Sequence, residues 1–138
     1  MAFETTIRAR FGDEDHAGIV YYPRFLDYFH RVFEDFFESE GRSYRQVLDQ
    51  DGVGWPAVHL EVDFRSPLRF GDDLVVTLSA LRVGEKSAVF RYRGAVGDRD
   101  VVSAEVTVAC IDMKSFRGVA LPEFYRHMFE RHLSEVHD

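Results

Sequence analysis

The sequence predicts an α+β domain in which an antiparallel five-stranded sheet wraps around one long helix. Two observations carry this. A single stretch of strong helical periodicity follows the first apolar alternation, and four stretches of period-two alternation come after it, separated by short turns rich in Gly and Asp. A chain of 138 residues is expected to form one domain over residues 1–138, long enough to bury a core without staples. Thirteen Phe residues predict an aromatic core, a broad self-association surface, or both.

Each element follows from its pattern. Residues 3–11 alternate as a first strand, with Phe3, Thr5, Ile7, Ala9 and Phe11 on one side. From Tyr22 the period changes. Tyr22, Phe25, Leu26, Phe29, Val32, Phe33, Phe36 and Phe37 recur at three- and four-residue steps, forming one helix face that ends before Gly41. Residues 43–52 add a short helical turn. Val58, Leu60, Val62 and Phe64 then alternate with His59, Glu61, Asp63 and Arg65, and a second alternation fills 73–83. The turns at 84–86 and 97–100 lead into strands over 87–96 and 101–113, and residues 121–133 close as an amphipathic helix. Reading the four later strands as successive hairpins gives a mostly antiparallel sheet. Such a sheet buries the aromatic stripe by wrapping the helix, and its uncovered face predicts a homodimer.

Composition excludes several classes. The lone Cys110 rules out an internal disulfide or a cysteine metal cluster, and its apolar surroundings predict a buried, inert thiol. No apolar run approaches the roughly 18 residues that span a bilayer, and the N-terminus lacks the apolar core of a signal peptide, so a cytoplasmic protein without membrane partners is expected. A net charge of −7 argues against nucleic-acid partners. His127, His132 and His137 match no metal motif, and surface roles are expected for them.

The chemistry concentrates in FGDEDHAGIVYYPRF, residues 11–25. Pro23 suits a first helical position because its missing N–H is not needed there. Tyr22 then occupies the N-cap, where it supplies no capping oxygen, so helix N–H groups and the positive end of the dipole stay available to a ligand oxygen. A carbonyl oxygen gaining negative charge is stabilised in such a place. Gly18 permits a tight approach just before it, and the acids Asp13, Glu14 and Asp15 stand upstream.

These residues resemble the signature of the 4-hydroxybenzoyl-CoA thioesterase family, whose hotdog fold wraps an antiparallel sheet around a long helix. The matching positions are Phe11, Asp13, Asp15, Gly18, Val20, Tyr21 and Tyr22, and VDFRSPLRFGDDLVV (62–76) is similar to the family's second conserved stretch. The resemblance implies an acyl-CoA thioesterase without metal or other cofactor, coenzyme A being part of the substrate. It places the catalytic carboxylate at Asp15, as nucleophile or general base, and the polarising backbone amide at Tyr22. Tyr21–Tyr22 tilts the expected acyl group toward benzoyl-type aromatics, with Gly18 and Tyr21 at the substrate. Some family members carry another residue where His16 stands here, and this histidine is read as a loop residue.

Coenzyme A carries phosphates, and the family's basic turn falls on Arg82 and Lys86, with Arg65, Arg69, Arg91 and Arg93 as further candidates. His59 lines the acyl pocket from a partner subunit or is a partly buried structural residue. A dimer of dimers is the larger assembly the resemblance allows. Two other functions stay open: a 3-hydroxyacyl dehydratase of the same fold, and a non-catalytic acyl-binding module. Asp15 before the helix favours the hydrolase over both.

Overall fold

A computed structural model describes residues 2–134. Strand β1 (Phe3–Arg8) leads through a short 3₁₀ turn (Phe11–Asp13) and a loop into helix α1 (Arg24–Ser39). Helix α2 (Tyr44–Asp49), the two-residue β2 (Val53–Gly54) and β3 (Ala57–Phe64) follow. The long strands β4 (Asp73–Val83), β5 (Ser87–Val96) and β6 (Arg99–Ala109) come next, then β7 (Ile111–Asp112) and α3 (Glu123–Glu130). The main sheet has the order β1-β4-β5-β6-β3 with every pair antiparallel, and β2 pairs with β7 in a small second sheet.

Helix α1 forms where the periodicity places it. Phe25, Tyr28, Phe29, Val32, Phe33, Phe36 and Phe37 are buried along one stripe, each contributing roughly 1.5–3 kcal/mol of transfer free energy. The stripe meets the sheet ring to ring: Phe29 lies 4.9 Å from Tyr92 and Phe33 5.5 Å from Phe90. Gly41, at φ +86°, ends the helix in a Schellman arrangement, its N–H reaching Glu38 O while Arg42 N–H reaches Phe37 O. Leu26, expected on the buried face, is exposed instead. Helix α2 starts from a capping box between Ser43 and Gln46.

Four expectations about the extent and connection of elements change. The first strand ends at Arg8, and Phe11 points to solvent, because Ala9 is buried and the chain then turns into the 3₁₀ segment. The last long strand ends at Ala109; Cys110 breaks the ladder and β7 leaves to pair with β2. The closing helix is shorter than 121–133. Beyond it the chain straps onto β4, with Ala80 N–H donating to His132 O and Ser134 N–H to Ala80 O.

The fourth change is topological: β3 and β4 are not a hairpin. Segment 65–72 is too long for a tight turn. It runs across the end of the sheet, so β3 pairs with β6 and becomes an edge. Arg99 fastens this crossing, donating to Ser66 Oγ at 3.0 Å and to the Pro67 carbonyl at 2.5 Å. Alternation assigns faces to a strand but does not choose its neighbour.

His132 is buried rather than on the surface. Its Nε2 lies 2.8 Å from Glu40 Oε1, and its ring packs edge-on to Phe36. His127 does stay exposed, paired with Glu123, while His137 lies outside the described residues. Cys110 is fully buried, and that burial pushes its thiol up to about 11, in keeping with an inert role. Among the described residues no helix is long and apolar enough to cross a membrane.

Candidate active site

The acidic loop is a small β-turn structure built from its own side chains. Glu14 and Val20 form an antiparallel bridge, and Asp15 N–H donates to Ile19 O at 2.9 Å. Between them Asp15, His16, Ala17 and Gly18 make a turn closed by Gly18 N–H on Asp15 O, with Gly18 at φ +82°, a conformation a side chain would strain. Asp15 Oδ1 accepts the Ala17 N–H at 2.8 Å. This fixes the carboxylate's orientation and leaves Oδ2 without a hydrogen bond among the described residues.

The three acids divide their work. Asp13 braces the loop from beneath: its Oδ2 accepts Tyr28 O–H at 2.6 Å and Arg10 N–H at 3.0 Å, and its carbonyl accepts Tyr21 N–H. Burial alone raises its pKa. The Tyr28 hydroxyl, the Arg10 amide and the charges of Arg24 and Arg31 outweigh burial and hold the carboxyl below its ordinary value. Burial first, then the hydrogen bond and charge of Asp13, push the Tyr28 phenol well upward against the charges of Arg31 and Arg24. Glu14 reaches across to the 65–72 segment, accepting Phe70 N–H at 2.9 Å, while Val20 N–H donates to Leu68 O at 2.7 Å. Of the three acids, Asp15 is the exposed one, while Asp13 and Glu14 are half-buried.

The start of α1 differs from the open end expected. Arg24, Phe25 and Leu26 donate their N–H groups to Tyr21, Tyr22 and Pro23 carbonyls, closing a tight first turn. Pro23 has no N–H, adopts helical angles and supplies no side-chain cap. Only the Tyr22 amide is left without a backbone acceptor among the described residues. The helix end therefore offers one free donor at Tyr22, and several donors expected from the sequence are already used.

Aromatic rings line the approach to this donor. Tyr21 and Tyr22 lie 5.3 Å apart, and Tyr22 lies 6.2 Å from Phe64 at the end of β3. The three are 47%, 63% and 50% exposed. They form an open apolar wall at the edge of the sheet. Phe64, Leu68 and Glu14 were not singled out from sequence. Phe64 reads as ordinary strand alternation, and contacts spanning more than forty residues leave no local signal.

Other expected site residues lie elsewhere. His59 is not a buried structural histidine. Val58 and Leu60 follow the alternation of the helix-side face, so His59 turns to the outer face, exposed and 3.3 Å from Glu61. Arg65, Arg91 and Arg93 share that face and line a shallow groove of about 670 Å³ with Glu61, Asp63 and Glu105. Arg82 and Lys86 stand exposed around the β4–β5 turn. That turn is at the other end of an eleven-residue strand, about 33 Å from the end that carries the acidic loop. One chain alone does not bring them to Asp15.

Known proteins share this architecture. The thioesterase-like superfamily matches residues 9–129. A 1,4-dihydroxy-2-naphthoyl-CoA hydrolase from Nostoc punctiforme is 30% identical over 123 residues, covering 89% of this chain and 83% of the relative. One from Synechococcus elongatus is 31% identical over 115 residues, covering 83% and 85%. Among solved structures, a thioesterase superfamily protein from Jannaschia superposes with a TM-score of 0.90 at 24% identity, covering 96% of this chain and 94% of that one. A 1,4-dihydroxy-2-naphthoyl-CoA thioesterase from Synechocystis gives 0.85 at 24% identity, covering 94% of this chain and 96% of that one. These relatives narrow the resemblance read from the acidic motif: the superfamily holds, while the named branch is the naphthoyl-CoA hydrolases rather than the 4-hydroxybenzoyl-CoA thioesterases. With a helix wrapped by an antiparallel sheet and a carboxylate turn leading into that helix, the chain is a hotdog-fold protein and belongs to the thioesterase-like superfamily.

Proposed function

We propose that this acyl-CoA thioesterase acts on aromatic acyl groups, with Asp15 as its catalytic carboxylate. The observation that carries the reading is the pairing, within one short loop, of a carboxylate oxygen without a partner and the free amide of Tyr22. The amide accepts the charge that develops on the thioester oxygen. Asp15 either attacks the carbonyl, giving a mixed anhydride that water then opens, or removes a proton from attacking water. In both routes the C–S bond breaks, a C–O bond from water forms, and the thiolate leaves as free CoA thiol once protonated. The reaction needs no metal or redox cofactor.

The aromatic preference rests on Tyr21, Tyr22 and Phe64 beside the donor, and on the relatives named as naphthoyl-CoA hydrolases. Thiol release measured across 1,4-dihydroxy-2-naphthoyl-CoA, benzoyl-CoA, acetyl-CoA and palmitoyl-CoA tests it. The aromatic esters are expected to exceed the others at least tenfold in kcat/KM. A preference for acetyl- or palmitoyl-CoA contradicts the assignment of the acyl group.

The working unit is proposed to be a homodimer joined along β3, with the cytoplasm as its compartment. Strand β3 is an eight-residue edge carrying exposed Val58, Leu60 and Phe64, the kind of edge that pairs unless it is blocked. Antiparallel pairing of β3 with its copy places the partner's Ala57 end beside this chain's Phe64. That end of the partner also holds its 84–86 turn, so Arg82 and Lys86 approach the Asp15 loop of the other subunit.

A further inference from the structure

Along the buried stripe of α1 only Tyr28 carries a polar side-chain atom; the other aromatic residues there are all Phe. Its ring is fully buried and packs 5.7 Å from Phe25. A Phe at this position would fill the same space, and a buried phenol costs free energy unless its O–H finds a partner. That partner is Asp13, whose Oδ2 accepts the O–H at 2.6 Å, a short charge-assisted bond. The hydroxyl therefore serves Asp13 rather than the packing of the core.

Asp13 stands at the neck of the acidic loop. Residues 14–20, Asp15 among them, leave and return through it, because Asp13 O accepts Tyr21 N–H at 2.9 Å. The carboxylate oxygen that takes the phenol also accepts Arg10 N–H at 3.0 Å, so the residue is held from two sides. Tyr21 is held on its other side as well, its carbonyl accepting Arg24 N–H at 2.8 Å in the first turn of α1. A trans peptide sets its C=O and N–H in opposite directions. Pinning the Tyr21 carbonyl into the helix therefore turns the Tyr22 N–H outward. Only the two soft torsions of Tyr21 separate that peptide from the bond to Asp13.

We infer that Tyr28 and Asp13 are positioning residues for thioester cleavage. The phenol anchors Asp13 to the packed face of α1, and Asp13 keeps the Tyr22 amide and the Asp15 carboxylate in fixed relation across the neck. Both act through these two groups rather than on the acyl group itself. This role rests on the proposed hydrolase and names what makes its two reacting groups work together. A displacement on the order of 1 Å is enough to lose much of a rate.

Steady-state cleavage of benzoyl-CoA by Tyr28→Phe, Asp13→Ala and Asp13→Asn, each well below its melting temperature, tests the role. Tyr28→Phe is expected to lower kcat about tenfold with little change in KM, and Asp13→Ala to lower it further. Asp13→Asn is expected to recover most of the loss seen in Asp13→Ala, since one amide oxygen can accept both the phenol and the Arg10 N–H. Hydrogen exchange of the Tyr21 amide, followed by NMR, is expected to quicken in Tyr28→Phe relative to amides in β5. A Tyr28→Phe protein with wild-type kcat overturns the role, as does a loss confined to KM or an Asp13→Asn no better than Asp13→Ala. Should Asp13→Ala fail to fold, the kcat of Tyr28→Phe decides alone. Wild-type protein inert toward benzoyl-CoA, acetyl-CoA and palmitoyl-CoA overturns the hydrolase reading instead, and Tyr21 exchange then decides whether the pair holds the neck.

Discussion

At the scale of single residues, the acidic triplet is three side chains with three jobs. Asp13 supports, Glu14 ties the loop to the neighbouring crossing, and Asp15 faces outward with one oxygen to spare. Hydrogen bonds to a charged group contribute more than neutral ones, so Tyr28→Phe is expected to cost about 1.5–3 kcal/mol in denaturant unfolding. The pH dependence follows from the lowered pKa of Asp13. A carboxyl held below its unfolded value contributes stability above that value, and the contribution is lost as pH falls through the folded one. The stability gap between wild type and Asp13→Asn is therefore expected to be full at pH 7 and to shrink below about pH 4, the ordinary range for Asp. A gap that widens on acidification contradicts the brace. Asp15, Gly18, Tyr21 and Tyr22 were legible in the sequence because they lie on one short loop whose turn chemistry is local. The brace from Tyr28 was not, since a phenol on the buried helix face reads as core.

Among the elements, α1 carries the clearest sequence signal and the largest share of the core. Phe37 touches Phe33, Tyr44, Trp55, Tyr125 and Phe129, joining the helix to α2, the 50s segment and α3. Phe37→Ala is expected to cost about 3–5 kcal/mol, measured by chemical unfolding, because no neighbour is free to fill the space. The strands were legible as strands, but their order was not. The 65–72 crossing depends on Arg99 reaching Ser66 and Pro67, contacts made across more than thirty residues. That crossing also supplies Leu68 O and Phe70 N–H to the acidic loop. A hairpin between β3 and β4 would leave the loop without this support, so the misread connection and the unexpected role of Glu14 have one cause.

For the molecule as a whole, the edge position of β3 decides what one chain can do alone. The free Tyr22 amide and Asp15 lie at one end of the sheet, and Arg82 and Lys86 at the other. The proposed pairing of β3 with a second copy would bring the two ends together. Leu60→Lys, which places a charge on the helix-side edge of β3, is expected to shift the protein to monomer in sedimentation velocity and to raise KM for a CoA ester. A monomer that keeps the wild-type KM contradicts the shared site. The sequence could not reveal that β3 is an edge, because an edge strand and a central strand have the same alternation and differ only in what lies beside them. The central claim concerns one carboxylate, and it is tested most directly by measuring CoA release from 1,4-dihydroxy-2-naphthoyl-CoA by Asp15→Asn beside wild type, with both proteins shown to share the same melting temperature and oligomeric state. The turn and the Tyr22 amide stay intact in that variant, so kcat is expected to fall by about 100-fold or more. Wild-type turnover from Asp15→Asn would contradict the assignment.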